Sequence, residues 1–300
     1  LIQILIVIAM LVVQSLLSRN LASGVEVLDP TGADRPARSG RDRLAVLVFL
    51  VVSLLLLVGP IAAVFQRAMA TGGGYGFDNF QALGSSRAGS ILFVPPTTAI
   101  ANSLLFATTA TVIAMVVGSL AAFALASGSA RVLSGALLLP LGVSAVTLGF
   151  GALIAFDSAP LNLRGSPWLV PIVQSLVAIP FVVRAMVPVL RAIRVSLREA
   201  AAVLGASPWQ VVRTIDVPLV ARSAVVAAGF AFAISLGEFG ATVFVARGDH
   251  PTVPIAIYRF LGSPGASNQG QAMAMAAILV VLTATVVLIT DRFRVPEVSS

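Results

Sequence analysis

The stretch Leu44-Ala-Val-Leu-Val-Phe-Leu-Val-Val-Ser-Leu-Leu-Leu-Leu-Val-Gly-Pro-Ile-Ala-Ala-Val-Phe65 carries no charged side chain. An α-helix needs about 20 mostly apolar residues to cross the ~30 Å hydrocarbon core of a bilayer, and this stretch supplies them. Similar blocks recur on both sides of it, giving seven apolar spans: Leu1–Leu17, Leu44–Phe65, Ala99–Ala126, Val132–Phe156, Trp168–Leu190, Leu219–Ala246 and Gln271–Thr290. The chain is 58% hydrophobic and only 10% charged, whereas ordinary globular chains are about a quarter charged. Its mean hydropathy is +1.01. The fold class that follows is all-α, a polytopic transmembrane helical bundle.

Between the spans the charge is organised. All 19 basic residues are Arg, and they gather in the short connections. One set of connections holds Arg19, Arg35, Arg38, Arg41, Arg43, Arg131, Arg191, Arg194, Arg198, Arg213, Arg222, Arg292 and Arg294. The alternate set holds Arg67, Arg87, Arg164, Arg247 and Arg259, which makes thirteen against five, with Arg184 left inside the fifth span. Cytoplasmic loops carry the excess of basic residues, so the first set and the C-terminus are expected to be cytoplasmic. The net charge of +7 therefore reads as membrane topology rather than as a nucleic-acid footprint.

Several chemistries are excluded by missing residues. Without Lys there is no phosphate-binding P-loop lysine, so Thr71-Gly-Gly-Gly-Tyr-Gly76 reads as a flexible loop and not a nucleotide cradle. Without Cys there is no disulfide, thiolate nucleophile or cysteine metal site. A single His, His250, leaves no two-histidine metal motif, and no cofactor is expected.

Residues 1–17 are expected to be the last span of a truncated preceding half. A signal peptide is the alternative, but it needs a basic leader that is missing here. Residues 18–43, with Asp29-Pro-Thr-Gly-Ala-Asp-Arg-Pro36, read as a cytoplasmic linker. Residues 44–295 form a six-span unit, and 296–300 a short tail. Pro180 and Pro188 are expected to kink the fifth span, which helical bundles tolerate. Gly118, Gly149, Gly151, Gly229, Gly237 and Gly240 suit close helix approach. Tyr75, Trp168 and Tyr258 stand near membrane faces, where aromatic anchors are common. Asp78 and Asp157 read as solvated loop charges.

The most informative connection is the cytoplasmic segment Arg191–Pro218. Ser196-Leu-Arg-Glu199 has the form of a capping box opening a helix. An Ala-rich helix follows, and Gly205 stands where a left-handed C′ residue would end it. Ser207-Pro208 then starts a second helix, with Ser at the N-cap and Pro at N1. Val217-Pro218 breaks that one. Leu197, Ala200, Ala201 and Leu204 share one shallow apolar face. Such a face fits a groove on a partner protein. It would equally suit a helix packed back onto its own bundle.

Glu199-Ala-Ala-Ala-Val-Leu-Gly205, followed by Ile215-Asp-Val-Pro218, resembles the EAA loop of type I ABC importer permeases. Glu, Gly, Ile and Pro match, Val217 replaces the usual Leu, and the loop precedes the penultimate span as in that family. Pro180-Phe-Val-Val-Arg184, Ser235-Leu-Gly-Glu-Phe-Gly-Ala-Thr242 and Pro251-Thr-Val-Pro-Ile-Ala-Ile-Tyr258 look like the iron(III)/thiamine permeases, over about residues 44–295. Those permeases fuse two six-span halves. Gly-Glu-Phe-Gly-Ala-Thr also occurs in molybdate and sulfate permeases.

The resemblance implies a permease that moves a solute, iron(III) or thiamine, by alternating access; molybdate or sulfate is the alternative. It implies a pair of ATP-binding subunits docked on Ser196, Leu197, Glu199, Ala200, Ala201, Leu204, Gly205, Ile215 and Pro218. It also implies an extracytoplasmic solute-binding protein, and a first permease half or a second permease subunit, all in an inner or plasma membrane. ATP hydrolysis would lie in the partners, with no catalytic residue here.

Glu238, between Gly237 and Gly240, falls near the middle of the sixth span. A carboxylate there faces either the bundle interior or a water-filled path. With Ser235 and Arg184 these residues are translocation-path candidates, and pairing of Glu238 with Arg184 is one option. A structural carboxylate held by hydroxyls, and an Arg184 that snorkels to the headgroups, are the plainer ones. Asp249 and His250 could form a metal site, but an exposed polar turn accounts for them. An ion-coupled carrier or channel would place more ionisable groups in its spans. An intramembrane enzyme would need a paired nucleophile and base.

Overall fold

Apolar runs of this length satisfy their backbone only as helices, and helices dominate the architecture. The computed structural model describes residues 40–84, 92, 94–128, 142–158, 160–193 and 195–293. The expected first span, nearly all of the linker and the C-terminal tail lie outside them. Five helices among the described residues are long and apolar enough to cross a membrane. The chain divides into two units, Leu1–Arg67 and Ala68–Ser300.

In the first unit lies most of α1 (Gly40–Met69), which runs unbroken through Pro60. Leu54, Leu55, Leu56 and Leu57 are 62–70% exposed, a surface that only lipid or another apolar surface would cover. In the second unit the chain first turns back in a two-residue-per-strand hairpin, β1 (Ala70–Thr71) with β2 (Gly74–Tyr75), in the register Ala70 to Tyr75. The glycine-rich stretch expected to be a flexible loop is thus ordered. Gly74 has φ +141°, which a side chain would strain. Asn79, in α2 (Asp78–Gln81), donates to the Ala68 and Ala70 carbonyls at 3.0 and 2.9 Å.

Three long helices then build the main core. They are α3 (Pro96–Ala126), α5 (Leu169–Ala192) and α8 (Val217–Gly237), with α4 (Ala145–Ala155) between the first two in sequence. Ala114, Ala121 and Ala122 from α3 meet Ile179, Val182 and Met186 from α5 and Val220, Ala227 and Ala231 from α8. Small residues recur because bilayer helices gain their packing by close backbone approach. α5 stays helical through Pro180 and Pro188. The fourth span appears only as the 11 residues of α4, about 16 Å at 1.5 Å per residue; residues 132–141 lie outside the described set.

The expected sixth span does not run whole. It ends at Gly237 and resumes as the short α9 (Thr242–Val245). A further helix, α10 (Val253–Leu261), was not expected, and α11 (Ala266–Asp291) is the last span. α10 is fixed to α3, where Ser103 Oγ accepts from Val253 N at 2.7 Å and Asn102 donates to the Pro251 carbonyl at 3.1 Å.

The glycines divide. A Cβ on Gly118 would stand 2.8 Å from Val182 Cγ1. One on Gly149 would strike the Ala241 carbonyl, and one on Gly229 the Thr290 side chain. Gly240 is tighter than ordinary, with Ala145 Cβ 3.2 Å away. Gly151 and Gly237, expected to do the same, have nothing within 4 Å of an added Cβ among the described residues. The Gly149 contact is with backbone, which cannot swing aside. We therefore expect Gly149→Leu to lower the stability of the folded bundle by several kcal/mol, at or beyond the upper end of the usual overpacking range of about 1–3 kcal/mol. The midpoint of thermal unfolding in detergent checks this, with Gly151→Leu as the silent control.

Candidate functional site

Two places concentrate chemistry: the loop between α5 and α8, and the break between α8 and α9.

The loop starts at Ile193, which is buried beneath α5. α6 (Val195–Val203) is already helical at Val195. Ser196 thus sits inside the first turn and not at the N-cap, as the capping-box reading of Ser196 and Glu199 required. The helix ends as expected. Gly205 takes φ +86°, Ala206 N donates to the Ala201 carbonyl at 3.0 Å, and Gly205 N to that of Ala202 at 2.9 Å. This is a complete Schellman termination. α7 (Pro208–Val211) opens with a true capping box, which the sequence reading had missed. Ser207 Oγ accepts from Gln210 N at 3.4 Å, and Gln210 Oε1 accepts from Ser207 N at 2.7 Å.

From α7 a five-residue π-helical segment, Val212–Asp216, leads without a break into α8. Ile215 packs against the main core, while Pro218 sits exposed in the first turn of α8. Asp216 is buried, with its Oδ1 2.9 Å from Arg198 Nε across the loop. Neither member of this pair was singled out from sequence.

The outer face of the loop is apolar and open. Leu197 is 47% exposed, Leu204 87%, Val203 88% and Trp209 71%; Ala200 is exposed and Ala201 half-buried. Among the described residues Val203, Leu204 and Trp209 stand clear of the bundle. Val203 and Trp209 extend the apolar stripe beyond the residues expected.

At the break, Glu238 is buried and its backbone has left the helix, with φ −69° and ψ +121°. Its Oε1 accepts from Ala241 N at 2.8 Å; its Oε2 accepts from Thr242 N at 2.8 Å and Thr242 Oγ1 at 2.5 Å. Gln174 Nε2, from α5, donates to Thr242 Oγ1 at 3.4 Å. The carboxylate thus takes up first-turn amides of α9 that have no partner inside that helix. No ion pair joins Glu238 to Arg184 among the described residues, and Arg184 is exposed on α5. The pairing weighed from sequence is not formed; backbone amides and a hydroxyl hold the carboxylate. Around it, Gln174 Oε1 and Ser235 Oγ are buried without a hydrogen-bond partner among the described residues.

On the far side of the break, Arg247 grips Asp249 at 3.0 and 3.3 Å and donates to the Gly165 carbonyl at 2.6 Å. The Arg247 guanidinium holds the Asp249 carboxyl down at about 2. This is a polar turn, and among the described residues no cluster of three or more potential metal ligands occurs.

No family model matches the chain. The molybdenum transport system permease protein ModB of Haemophilus influenzae is 35% identical over 164 residues, which span 50% of this chain and 72% of that protein. The chain belongs to the ABC importer permeases. PhnV of Salmonella paratyphi A, named for 2-aminoethylphosphonate transport, is 30% identical over 151 residues; these span 50% of this permease but only 55% of PhnV. A chain of a bacterial ABC transporter involved in the import of the acidic polysaccharide alginate, solved by crystallography, shares the fold at a TM-score of 0.65 and 18% identity. That match covers 84% of this permease and 95% of the other chain.

The expectation of an ABC importer permease is met, as is that of an all-α polytopic helical bundle. The iron(III)/thiamine assignment is not supported, since these relatives are named for molybdenum and 2-aminoethylphosphonate; the molybdate alternative is the better supported.

Proposed function

We propose that this permease imports a small oxyanion of the molybdate or phosphonate class by alternating access, driven by ATP-binding subunits docked on α6. The observation that carries the docking assignment is the exposed stripe of Leu197, Ala200, Val203 and Leu204 on a helix with defined ends. A soluble surface has no use for leucines this open, and a short amphipathic helix is a common insert for a partner groove. Ser196, Glu199, Ala201 and Gly205 shape the same insert, and Ile215 and Pro218 anchor its exit. The partners are two ATP-binding subunits, an extracytoplasmic binding protein and a second permease half or subunit.

The translocation path is proposed to pass the α8–α9 break. Broken helices near the bilayer midplane are where many transporters place their solute path. Ser235, Gly237 and Gly240 border the break, and Glu238 shapes it by holding α9 in place. Gly237 leaves open space that a partner or solute can use. Arg184, exposed on α5, is assigned to the headgroup region.

The oxyanion class rests on the names of the relatives. Thermal-shift binding on the cognate binding protein tests it, using molybdate, sulfate, 2-aminoethylphosphonate, iron(III) and thiamine. Stabilisation by one of the first three is expected; a response to iron(III) or thiamine alone would reverse the assignment.

Orientation is tested separately. This cysteine-free chain allows Ser207→Cys and Ser158→Cys to be probed singly with a thiol reagent that cannot cross the inner membrane. Ser158→Cys is expected to label in intact cells and Ser207→Cys only in opened ones. The reverse pattern would invert the topology.

A further inference from the structure

Asp216 is an unusual place for a carboxylate. It closes the π-helical segment, directly before α8, and its side chain is only 6% exposed. Its side-chain partner among the described residues is the Arg198 guanidinium, with Nε 2.9 Å from Oδ1. Arg198 belongs to α6, 18 positions earlier, and is itself one-third exposed. The pair therefore bridges the helix with the open apolar stripe and the helix that leads to the break at Glu238. The π segment adds a second observation, because π-helical turns set within α-helices are frequent at functional sites. Ile215, next to Asp216, is packed into the main core.

Consider a movement of α6 away from α8. It would leave the Asp216 carboxylate buried without a partner, a state far costlier than either the paired or the hydrated one. α8 therefore follows α6, and the two move as one body. We propose that the Arg198–Asp216 ion pair is the positioning strut that makes α6 and α8 move together, so that motion of a docked ATP-binding subunit reaches the α8–α9 break. This rests on the assignment of α6 as the docking helix. Neither residue touches solute or nucleotide.

The test uses the full chain, assembled with its ATP-binding subunits and binding protein in vesicles. Removing one partner alone leaves a buried charge and can cost folding, so the decisive variant removes both, Arg198→Met with Asp216→Asn. This double variant leaves no unpaired charge and should assemble. Solute imported per ATP hydrolysed is expected to fall about tenfold, within the usual range of coupling between sites. The charge-swapped pair, Arg198→Asp with Asp216→Arg, is expected to recover part of that loss.

An unchanged ratio in the assembled double variant would overturn the strut. Failure of that variant to assemble would overturn it too, since the pair would then hold the fold rather than the coupling. Co-purification of the ATP-binding subunit separates this outcome from the docking assignment. If Ala200→Asp leaves co-purification intact, the docking helix is wrong; if docking is lost there but the ratio above is unchanged, only the strut is.

Discussion

Ala200→Asp is expected to abolish co-purification of the ATP-binding subunit while the permease still inserts and folds. Ala200 lies on the exposed side of α6, between Leu197 and Leu204. A carboxylate there is harmless in the isolated chain, where water reaches it. In the docked assembly it would be driven into an apolar groove without a partner. Burying a polar group in that way costs about 2–7 kcal/mol and an unpaired charge more. A loss of 4 kcal/mol weakens binding by about a thousandfold. Wild-type yield of the complex from Ala200→Asp, measured by affinity purification, would remove α6 from the interface. Leu204→Asp should act the same way, because Leu204 is 87% exposed on the same stripe.

The second large effect is expected at Glu238, and the geometry fixes its form. Both carboxylate oxygens accept, one from the Ala241 amide and the other from the Thr242 amide and hydroxyl. Glu238→Gln replaces one acceptor by an NH2 group, which must then face a donor. A buried donor left unsatisfied costs roughly 1–3 kcal/mol. The folded yield and thermal stability of Glu238→Gln should therefore fall, and those of Glu238→Ala further. Uptake per assembled complex in vesicles gives the second half of the test. A drop in uptake beyond the drop in assembly supports a path past the break. Normal uptake per complex leaves Glu238 with its capping role alone.

Features set by neighbours in sequence were the legible ones. The C′ position of Gly205 and the N-cap of Ser207 depend on residues within five positions, and the structure forms both. Ser196 misled because a capping-box pattern also fits residues within the first turn of a helix. Hydropathy found the five helices long enough to cross a membrane but could not see the break at Glu238–Ala241, since it registers polarity and not backbone path. The signal was there in Gly237-Glu-Phe-Gly240: a carboxylate between two glycines is a poor helix interior. The same motif is shared by iron(III)/thiamine and molybdate or sulfate permeases, so it could not separate those solutes. A Glu that caps α9 builds the scaffold of the break, so permeases with different cargoes can share it. The Arg198–Asp216 pair was out of reach for a different reason. Its partners are 18 positions apart, and only the fold of the intervening turns brings them together.

The most direct measurement of the central claim is solute uptake by vesicles holding the full chain with its ATP-binding subunits. Binding protein loaded with molybdate or 2-aminoethylphosphonate is supplied outside, and ATP inside. Uptake is predicted to need both the binding protein and hydrolysable ATP, and to be indifferent to collapse of the ion gradients. Uptake that persists without ATP and follows an ion gradient would contradict it.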